Sequence, residues 1–464
     1  VFLAALLPAV LGVIFLHRIA LDQDETACPA LEAIAARLPE EPPRTRPAVL
    51  LAALLLPGLL YGTTVAANPL GWLEVSDHVT APREVVPLNA EDRGLPVYPF
   101  SLQSVGVASG DRPTVHLADH DLGPRLLTCL DSRCGDLSLY RAAGDDSSVP
   151  VSAATHLPDG RTVVASWEWT DKEGRYRIRL RVCGDGTCKV TADAIRTLPR
   201  DRLVARKAKA VLVARPDGGS VVAYTEISLR DDADRETVMI TTCADLACAA
   251  PVTHAPAKLN HPIESELDTQ VLDLAIAPDG RPVIARYDVE TGLVHVVSCA
   301  APDCAKATVS SAGTRTTRDI TRGKVGSRGL SVTVRRDGRP VIAYRETPGG
   351  VIRLINCRHR SCASADTVPL TGRDPDRHAP GLVIDHAGRV LVATTVAGRL
   401  TVYSCRETRC TATPIAKGDQ PERLVMTLDP AGRPVIAWVD ASMGEGGVRD
   451  WRLRITTPLN LGAA

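Results

Sequence analysis

Six times along this chain a turn and an apolar strand are followed by a second strand-like run and then Cys-x4-Cys. The pairs are Cys129 with Cys134, Cys183 with Cys188, Cys243 with Cys248, Cys299 with Cys304, Cys357 with Cys362, and Cys405 with Cys410. They recur every ~50–60 residues, the period of a four-stranded propeller blade rather than of a helical solenoid. A seventh copy, Gly432-Arg433-Pro434-Val435-Ile436-Ala437-Trp438, closes the series without cysteines. No other feature constrains the fold as much, because a unit of this kind buries its apolar faces only against its neighbours.

The copy from Gly329 to Leu370 shows what one unit contains. Leu330-Ser331-Val332-Thr333-Val334 alternates apolar and polar, as a half-buried strand does. Arg336-Asp337-Gly338-Arg339 is a turn in which Asp caps through its side chain and Gly supplies a positive φ. Pro340-Val341-Ile342-Ala343-Tyr344 is denser and reads as a strand covered on both faces. Pro is tolerated at its first position, where no ladder donor is lost. A polar loop leads to a third strand over 351–357, and Ala365 to Leu370 forms the fourth. Four antiparallel strands with short connections make one blade.

A cysteine ending the third strand and one opening the fourth face each other across a hairpin, within the ~4.4–6.8 Å Cα window of a disulfide. Closing so short a loop contributes about 2 kcal/mol in the chain-entropy picture. Zinc is the competing reading, but it needs four converging ligands, and pairs on separate blades lie too far apart to share an ion.

Turn-strand copies occur at Gly110-Asp111-Arg112-Pro113, Asp159-Gly160-Arg161, Asp217-Gly218, Asp279-Gly280-Arg281, Asp337-Gly338-Arg339, Gly388-Arg389 and Gly432-Arg433. The last copy has a third strand, Trp451 to Thr457, and no fourth. The missing piece stands before the first copy: Glu84-Val85-Val86-Pro87-Leu88 reads like Asp366-Thr367-Val368-Pro369-Leu370. Residues 84–88 are therefore expected to close the last blade and remove two open sheet edges. The expected fold is all-β, a seven-bladed propeller of four-stranded antiparallel blades over 84–458, preceded by two transmembrane α-helices and followed by a tail at 459–464.

The combined motif resembles the bacterial extracytoplasmic β-propeller repeats that pair an Asp-Gly-x-Pro-Val-Ile-Ala-Tyr strand with a Cys-x4-Cys hairpin, often labelled sialidase-like. The resemblance covers residues 84–457 and implies the fold. Its bearing on function is slight, since propellers host hydrolases, lectins and scaffolds alike. Sialidases carry Ser-x-Asp-x-Gly-x-Thr-Trp boxes between third and fourth strands. Here the Asp-Gly turn lies between the first and second strands, so any sialidase likeness is distant.

The part of the chain ahead of the propeller differs from the rest. Pro47 to Ala67 is an uncharged run long enough to cross a bilayer. Val1 to Leu16 is similar but shorter and lacks an initial Met, as expected of a truncated span with further sequence upstream. Arg18, Arg37, Arg44 and Arg46 lie between the two spans, whereas no Lys or Arg follows Ala67 until Arg83. The positive-inside bias then puts 17–46 in the cytoplasm, 47–67 in the membrane, and the linker 68–83 with the propeller outside. An extracytoplasmic location also permits disulfides. Cys28, the odd cysteine left over from the pairs, falls in the cytoplasmic loop and is expected to be a free thiol.

Zero formal net charge and a pI near 7.2 argue against nucleic acid as a partner. The second strand ends in a carboxylate in six of seven copies: Asp119, Glu168, Glu226, Asp288, Glu346 and Asp440, with Val396 breaking the set. A ring of acids on one face would draw a cationic ligand or a basic partner. The alternative is that each acid solvates its loop or pairs with a neighbouring arginine. His116 and His120 have metal-ligand chemistry but would stand roughly 13 Å apart on a strand. Asp231-Asp232-Ala233-Asp234 lacks the Gly and distal Glu of a calcium loop. The sequence holds no nucleophile motif, phosphate-cradling loop or cofactor signature, and neither metal nor cofactor is expected.

Two functional classes follow. One is a membrane-anchored extracytoplasmic binding or sensor domain for a protein or glycan; the other is a glycan-processing enzyme. The cysteine reading predicts that non-reducing peptide mapping will link each cysteine only within its own pair, and that a thiol reagent will label Cys28. A bridge between blades would overturn it.

Overall fold

The computed structural model describes residues 83–87 and, several loop segments apart, 101–456. Every regular element among them is a β-strand, and the 28 strands form seven four-stranded antiparallel sheets. In six sheets the order in space is the order in sequence. Blade 5, for example, runs Leu330–Val334, Pro340–Arg345, Ile352–Cys357, Ala365–Pro369. The first strand of each blade packs against the first strands of both neighbours. That includes Ser101–Ala108 of blade 1 against Pro421–Leu428 of blade 7, so the ring is closed.

The seventh sheet draws on two distant parts of the chain. Arg83–Pro87 pairs antiparallel with Arg449–Ile455, which pairs in turn with Pro434–Met443. The facing positions are Arg83 with Ile455, Glu84 with Arg454, Val86 with Leu453 and Pro87 with Arg452, with an irregularity at Val85. The strand expected at 84–88 is thus the outer strand of blade 7, one position earlier in the chain.

The second strands lack alternation because they are covered twice. Pro340–Arg345 is buried throughout. Its Ile342 and Tyr344 pack with Val283, Ala285 and Tyr287 of blade 4, while Val341 and Ala343 pack with Leu382, Val390 and Val392 of blade 6. A strand sandwiched between two sheets needs apolar groups on both faces. The outer strand Ala365–Pro369 stays mostly half-buried, which explains its polar composition.

First-to-second turns and third-to-fourth hairpins share one face, here the turn face. In the turn of blade 5, Arg339 N donates to Asp337 Oδ1 at 3.0 Å and Arg339 Nε to Oδ2 at 2.7 Å, while Gly338 takes φ 85°. Blades 2 and 4 repeat this fork, Arg161 onto Asp159 and Arg281 onto Asp279. The arginine hydrogen bond holds Asp159, and likewise Asp279, below the ordinary carboxylate range. In blades 6 and 7 the acid moves to the first turn residue. Arg389 N and Nε donate to Asp385 at 2.8 and 2.6 Å, and Arg433 makes the same fork to Asp429 at 2.7 Å each. The pattern Asp-x-x-Gly-Arg therefore replaces Asp-Gly-Arg without changing the turn.

All six expected disulfides are present, each within one hairpin. Cys129 is bonded to Cys134, Cys183 to Cys188, Cys243 to Cys248, Cys299 to Cys304, Cys357 to Cys362, and Cys405 to Cys410. The placement of the second cysteine departs from expectation in four of them. Cys188 and Cys410 do lie at the start of the fourth strand, facing Cys183 and Cys405 in the ladder, with Cα atoms 4.0 and 4.1 Å apart, closer than the expected window. Cys134, Cys248, Cys304 and Cys362 instead sit in the turn ahead of that strand. There the cysteine amide closes a tight turn, onto the carbonyls of Asp131, Asp245, Ala301 and His359 respectively. Those four take a positive φ of 47–59°, and their Cα separations are 4.6–4.8 Å.

No helix among the described residues is long and apolar enough to cross a membrane. The apolar stretches 1–16 and 47–67, the loop 17–46 with Cys28, most of the 68–83 linker and the tail 459–464 lie outside the described residues.

Two histidines are packed between blades 1 and 2. His116 is fully buried with Nε2 3.3 Å from Ser152 Oγ. His156 lies 2.9 Å from Thr162 Oγ1 and 3.2 Å from Ser104 Oγ, its ring stacked over Gly106, where a Cβ would overlap it. Burial, and then repulsion from His156, pushes His116 down to about 3; burial alone lowers His156 to about 4. The unfolded chain takes these protons near pH 6.5 and the folded chain does not, so stability is complete above pH 6.5 and declines as pH falls toward 4. Between pH 6.5 and 5, His116 should account for a loss of roughly 2 kcal/mol. Thermal melts should show a falling Tm over this window and a flatter profile for His116→Gln. Equal slopes would contradict the assignment.

Candidate functional site

The second-to-third loops and the blade-to-blade connections share the opposite face of the ring, here the loop face. It carries the carboxylate series. Glu168, Glu226, Asp288, Glu346 and Asp440 are all buried, and Asp119 lies outside the described residues. The five are not presented to solvent as a ring of free charge. Each is held by a cationic or imidazole side chain.

Strand register explains the pairing. In blade 5 Tyr344 faces Arg353 across the ladder, so the acid two positions beyond Tyr344 lies on the same sheet face and diagonal to the arginine. Arg353 Nε donates to Glu346 Oε2 at 2.9 Å. In blade 7 Trp438 faces Arg454, and Arg454 Nε lies 3.2 Å from Asp440. In blade 4 Arg286 faces His295, whose Nε2 is 3.4 Å from Asp288 Oδ2. In blade 2 Ser166 faces Arg179, which donates to Glu168 Oε2 at 2.7 Å. Arg181 and Ser166 bind the other oxygen of Glu168.

The two departures from the series are informative. Blade 6 has Val396 in place of the acid, and Thr401 stands where the base belongs, facing Thr394. Acid and base are lost together. Blade 3 keeps Glu226 but has Met239 in the base position, facing Tyr224. There Arg196 reaches across from the outer strand of blade 2, Thr187–Pro199, to within 3.4 Å of Glu226. Arg125 occupies the base position of blade 1, facing Leu117.

The acid also starts a recurrent loop. Gly292 N donates to Asp288 O at 2.9 Å and Asp288 N to Leu293 O at 2.8 Å; Gly350 and Val351 do the same for Glu346. Gly292 and Gly350 take φ 70° and 68°, the conformation this closure requires. Thr291 Oγ1 adds a 2.6 Å hydrogen bond to Asp288 Oδ2. The sequence signal was Asp/Glu-x-x-x-Gly, repeated by Asp119 and Gly123. In blade 3 the second and third strands, Ser220–Ser228 and Arg235–Cys243, continue past the acid, with Glu226 facing Thr237.

Chemically, Glu168 is a fixed anion. Burial pushes Glu168 up, but the hydrogen bonds from Arg181, Ser166 and Arg179 outweigh it and hold its carboxyl below the ordinary range. An acid tied down in this way stays ionised at neutral pH and anchors the root of its loop. Among the described residues, no group of three or more His, Cys, Asp or Glu side chains is arranged to hold a metal ion. His120 and the Asp231-Asp232-Ala233-Asp234 segment lie outside them.

No protein-family model matches the sequence, and no curated protein sequence matches it. Several solved structures are similar to it at low identity. The GH93 alpha-L-arabinofuranosidase of Fusarium graminearum, in complex with arabinobiose, is 10% identical with a TM-score of 0.44, covering 81% of this chain and 97% of its own. The polysaccharide lyase Uly1 is 10% identical with a TM-score of 0.45, covering 78% and 91%. The β-propeller domain of Myceliophthora thermophila Cps50 (Swd1) is also 10% identical, with a TM-score of 0.43 over 78% and 98%.

The pairing makes a sharp prediction about stability. Arg353→Thr leaves Glu346 buried without its partner; since Arg353 is 21% exposed, the loss is trimmed to about 2 kcal/mol. The double variant Glu346→Val/Arg353→Thr copies blade 6 and should recover most of that loss in denaturant melts. A double variant no more stable than the single one would show that the pair is not coupled.

Proposed function

We propose that this chain is a membrane-anchored extracytoplasmic binding propeller whose loop face meets a protein or glycan ligand. The observation that carries the proposal is strand polarity. The chain enters the propeller at Arg83, opposite Ile455, and the third strand of blade 7 ends there too, so both connections leave from the turn face. The loop face is free of both. Six disulfides fit an oxidising compartment, and all of them sit on the turn face. The arginine asymmetry around Pro47–Ala67 supports the same sidedness.

On this reading the buried carboxylates do not touch the ligand. They set the roots of loops of differing length, and variable loops on a fixed frame are where binding residues lie. Glycan processing is the competing reading. It calls for two carboxylates ~5–9.5 Å apart around the scissile bond, with their protons free to move.

The test uses the full chain on glycan and protein arrays. Replacing residues 229–234 with a short Gly-Ser turn should weaken capture about ten-fold or more and leave Tm nearly unchanged, whereas Arg281→Ala/Arg339→Ala on the turn face should not affect capture. The reverse pattern would move the site to the turn face. Shortened glycan products after incubation would replace the binding reading with the enzymatic one. Protease added to intact spheroplasts should degrade the propeller; protection until the membrane is broken would invert the sidedness.

A further inference from the structure

We infer that the turn face of blades 5 and 6 is an electrostatic docking surface for the anionic headgroups of a lipid bilayer. The inference rests on the proposed membrane anchoring and adds which surface of the propeller meets the membrane.

The hairpin that closes blade 6 carries the main observation. Arg406 and Arg409 face each other across the tight turn Glu407-Thr408, and Arg406 is exposed. Like charges directly opposite in a ladder are destabilising. The same hairpin in blade 2 has Gly184 facing Thr187, so its geometry does not call for arginines there. A docked anion would relieve the repulsion, and neither arginine has a carboxylate partner among the described residues.

The neighbouring blade extends the charge. Exposed Arg336 sends Nη2 to the backbone oxygen of His386 at 3.0 Å, a contact that leaves its charge uncompensated. Other arginines at this junction are spoken for: Arg339 by Asp337, Arg389 by Asp385 and Arg358 by Asp366. Among the described residues, Arg336, Arg406 and Arg409, with the half-buried Arg335 beside them, therefore stand against the unpaired acid Glu407. The patch is also rigid. Arg335 Nη2 donates to Asn356 Oδ1 at 2.9 Å, and Asn356 Nδ2 to Glu407 O at 3.2 Å, tying blade 5 to the blade 6 hairpin.

Chain length selects the occupant. Arg83 enters on this same turn face, and residues 68–82 separate it from the charge-free stretch ending at Ala67. Fully extended, that linker reaches at most roughly 50 Å, and it joins the propeller on the face that carries these arginines. Each basic residue near an anionic leaflet strengthens the contact, and the attraction fades within a Debye length.

The test places the full chain in nanodiscs of phosphatidylcholine alone or mixed with phosphatidylglycerol and follows amide exchange by mass spectrometry. Exchange in residues 405–410 and 335–339 should slow about ten-fold in the anionic discs at low salt. That protection should vanish at high salt and in Arg336→Gln/Arg406→Gln/Arg409→Gln, while the 243–248 hairpin stays unchanged. Equal exchange in both discs, or equal protection of 243–248, overturns the inference. Protection by inorganic phosphate in neutral discs at matched ionic strength also overturns it, in favour of a free-anion site. A chain that stays out of neutral discs defeats the anchoring reading instead. Protection of 405–410 by added phosphatidylglycerol vesicles, or its absence, would then decide the patch independently.

Discussion

The pairing of Arg83–Pro87 with Arg449–Ile455 is the constraint on which the ring depends. Each blade buries its second strand only because a sheet stands on either side, so a gap at any one interface would expose two apolar faces. Blade 7 supplies Val435, Ala437, Val439 and Leu453 to a core shared with Val115, Leu117 and Leu127 of blade 1. Its outer strand comes from the other end of the propeller sequence, and that connection makes the closure part of the chain itself. This blade has no disulfide. The six cysteine bridges are local and close hairpins within blades; the strand Arg83–Pro87 instead joins the two ends of the propeller sequence.

Around that closure the structure repeats two electrostatic devices, one per face. On the turn face an arginine forks onto an aspartate through its backbone and side-chain nitrogens. On the loop face a buried acid meets a base from the adjacent strand. Both devices tolerate a change of address. Asp385 and Asp429 replace the Asp-Gly aspartate from a neighbouring turn position, and Arg196 replaces a missing base from another blade. Where no substitute exists, as at Val396 and Thr401, both partners are neutral. An unpaired buried charge costs more than a neutral pair, and the described copies follow that rule.

Much of this was legible in the sequence. Blade period, strand order and cysteine pairing all rest on local patterns of turn, alternation and spacing, which the chain states copy after copy. Even closure was readable, because Glu84–Leu88 resembles Asp366–Leu370. The turn position of Cys134, Cys248, Cys304 and Cys362 was not, since Cys-x4-Cys has the same spacing whether the hairpin turn is tight or wide. The role of the carboxylates was hidden as well. A sequence shows Glu346 and Arg353 on either side of a loop, but only the ladder register puts Tyr344 opposite Arg353 and the acid beside it. Arg196 and Glu226 were harder still, since no local pattern joins an outer strand to the next blade. The pairing of His116 with Ser152 also depended on the packing of blades 1 and 2, beyond the reach of any spacing argument.

The closed seven-bladed ring is the central claim, and a cross-link tests it most directly. Pro87 and Arg452 face each other at the seam, in a blade that has no cysteines of its own. Cysteines placed at both positions should oxidise to a single bridge, found by non-reducing peptide mapping as a linkage between residues 87 and 452, with the native six pairs intact. If residue 87 instead remains reduced, or is recovered linked to a cysteine of blade 1, the N-terminal strand does not close blade 7 and the ring described here is wrong.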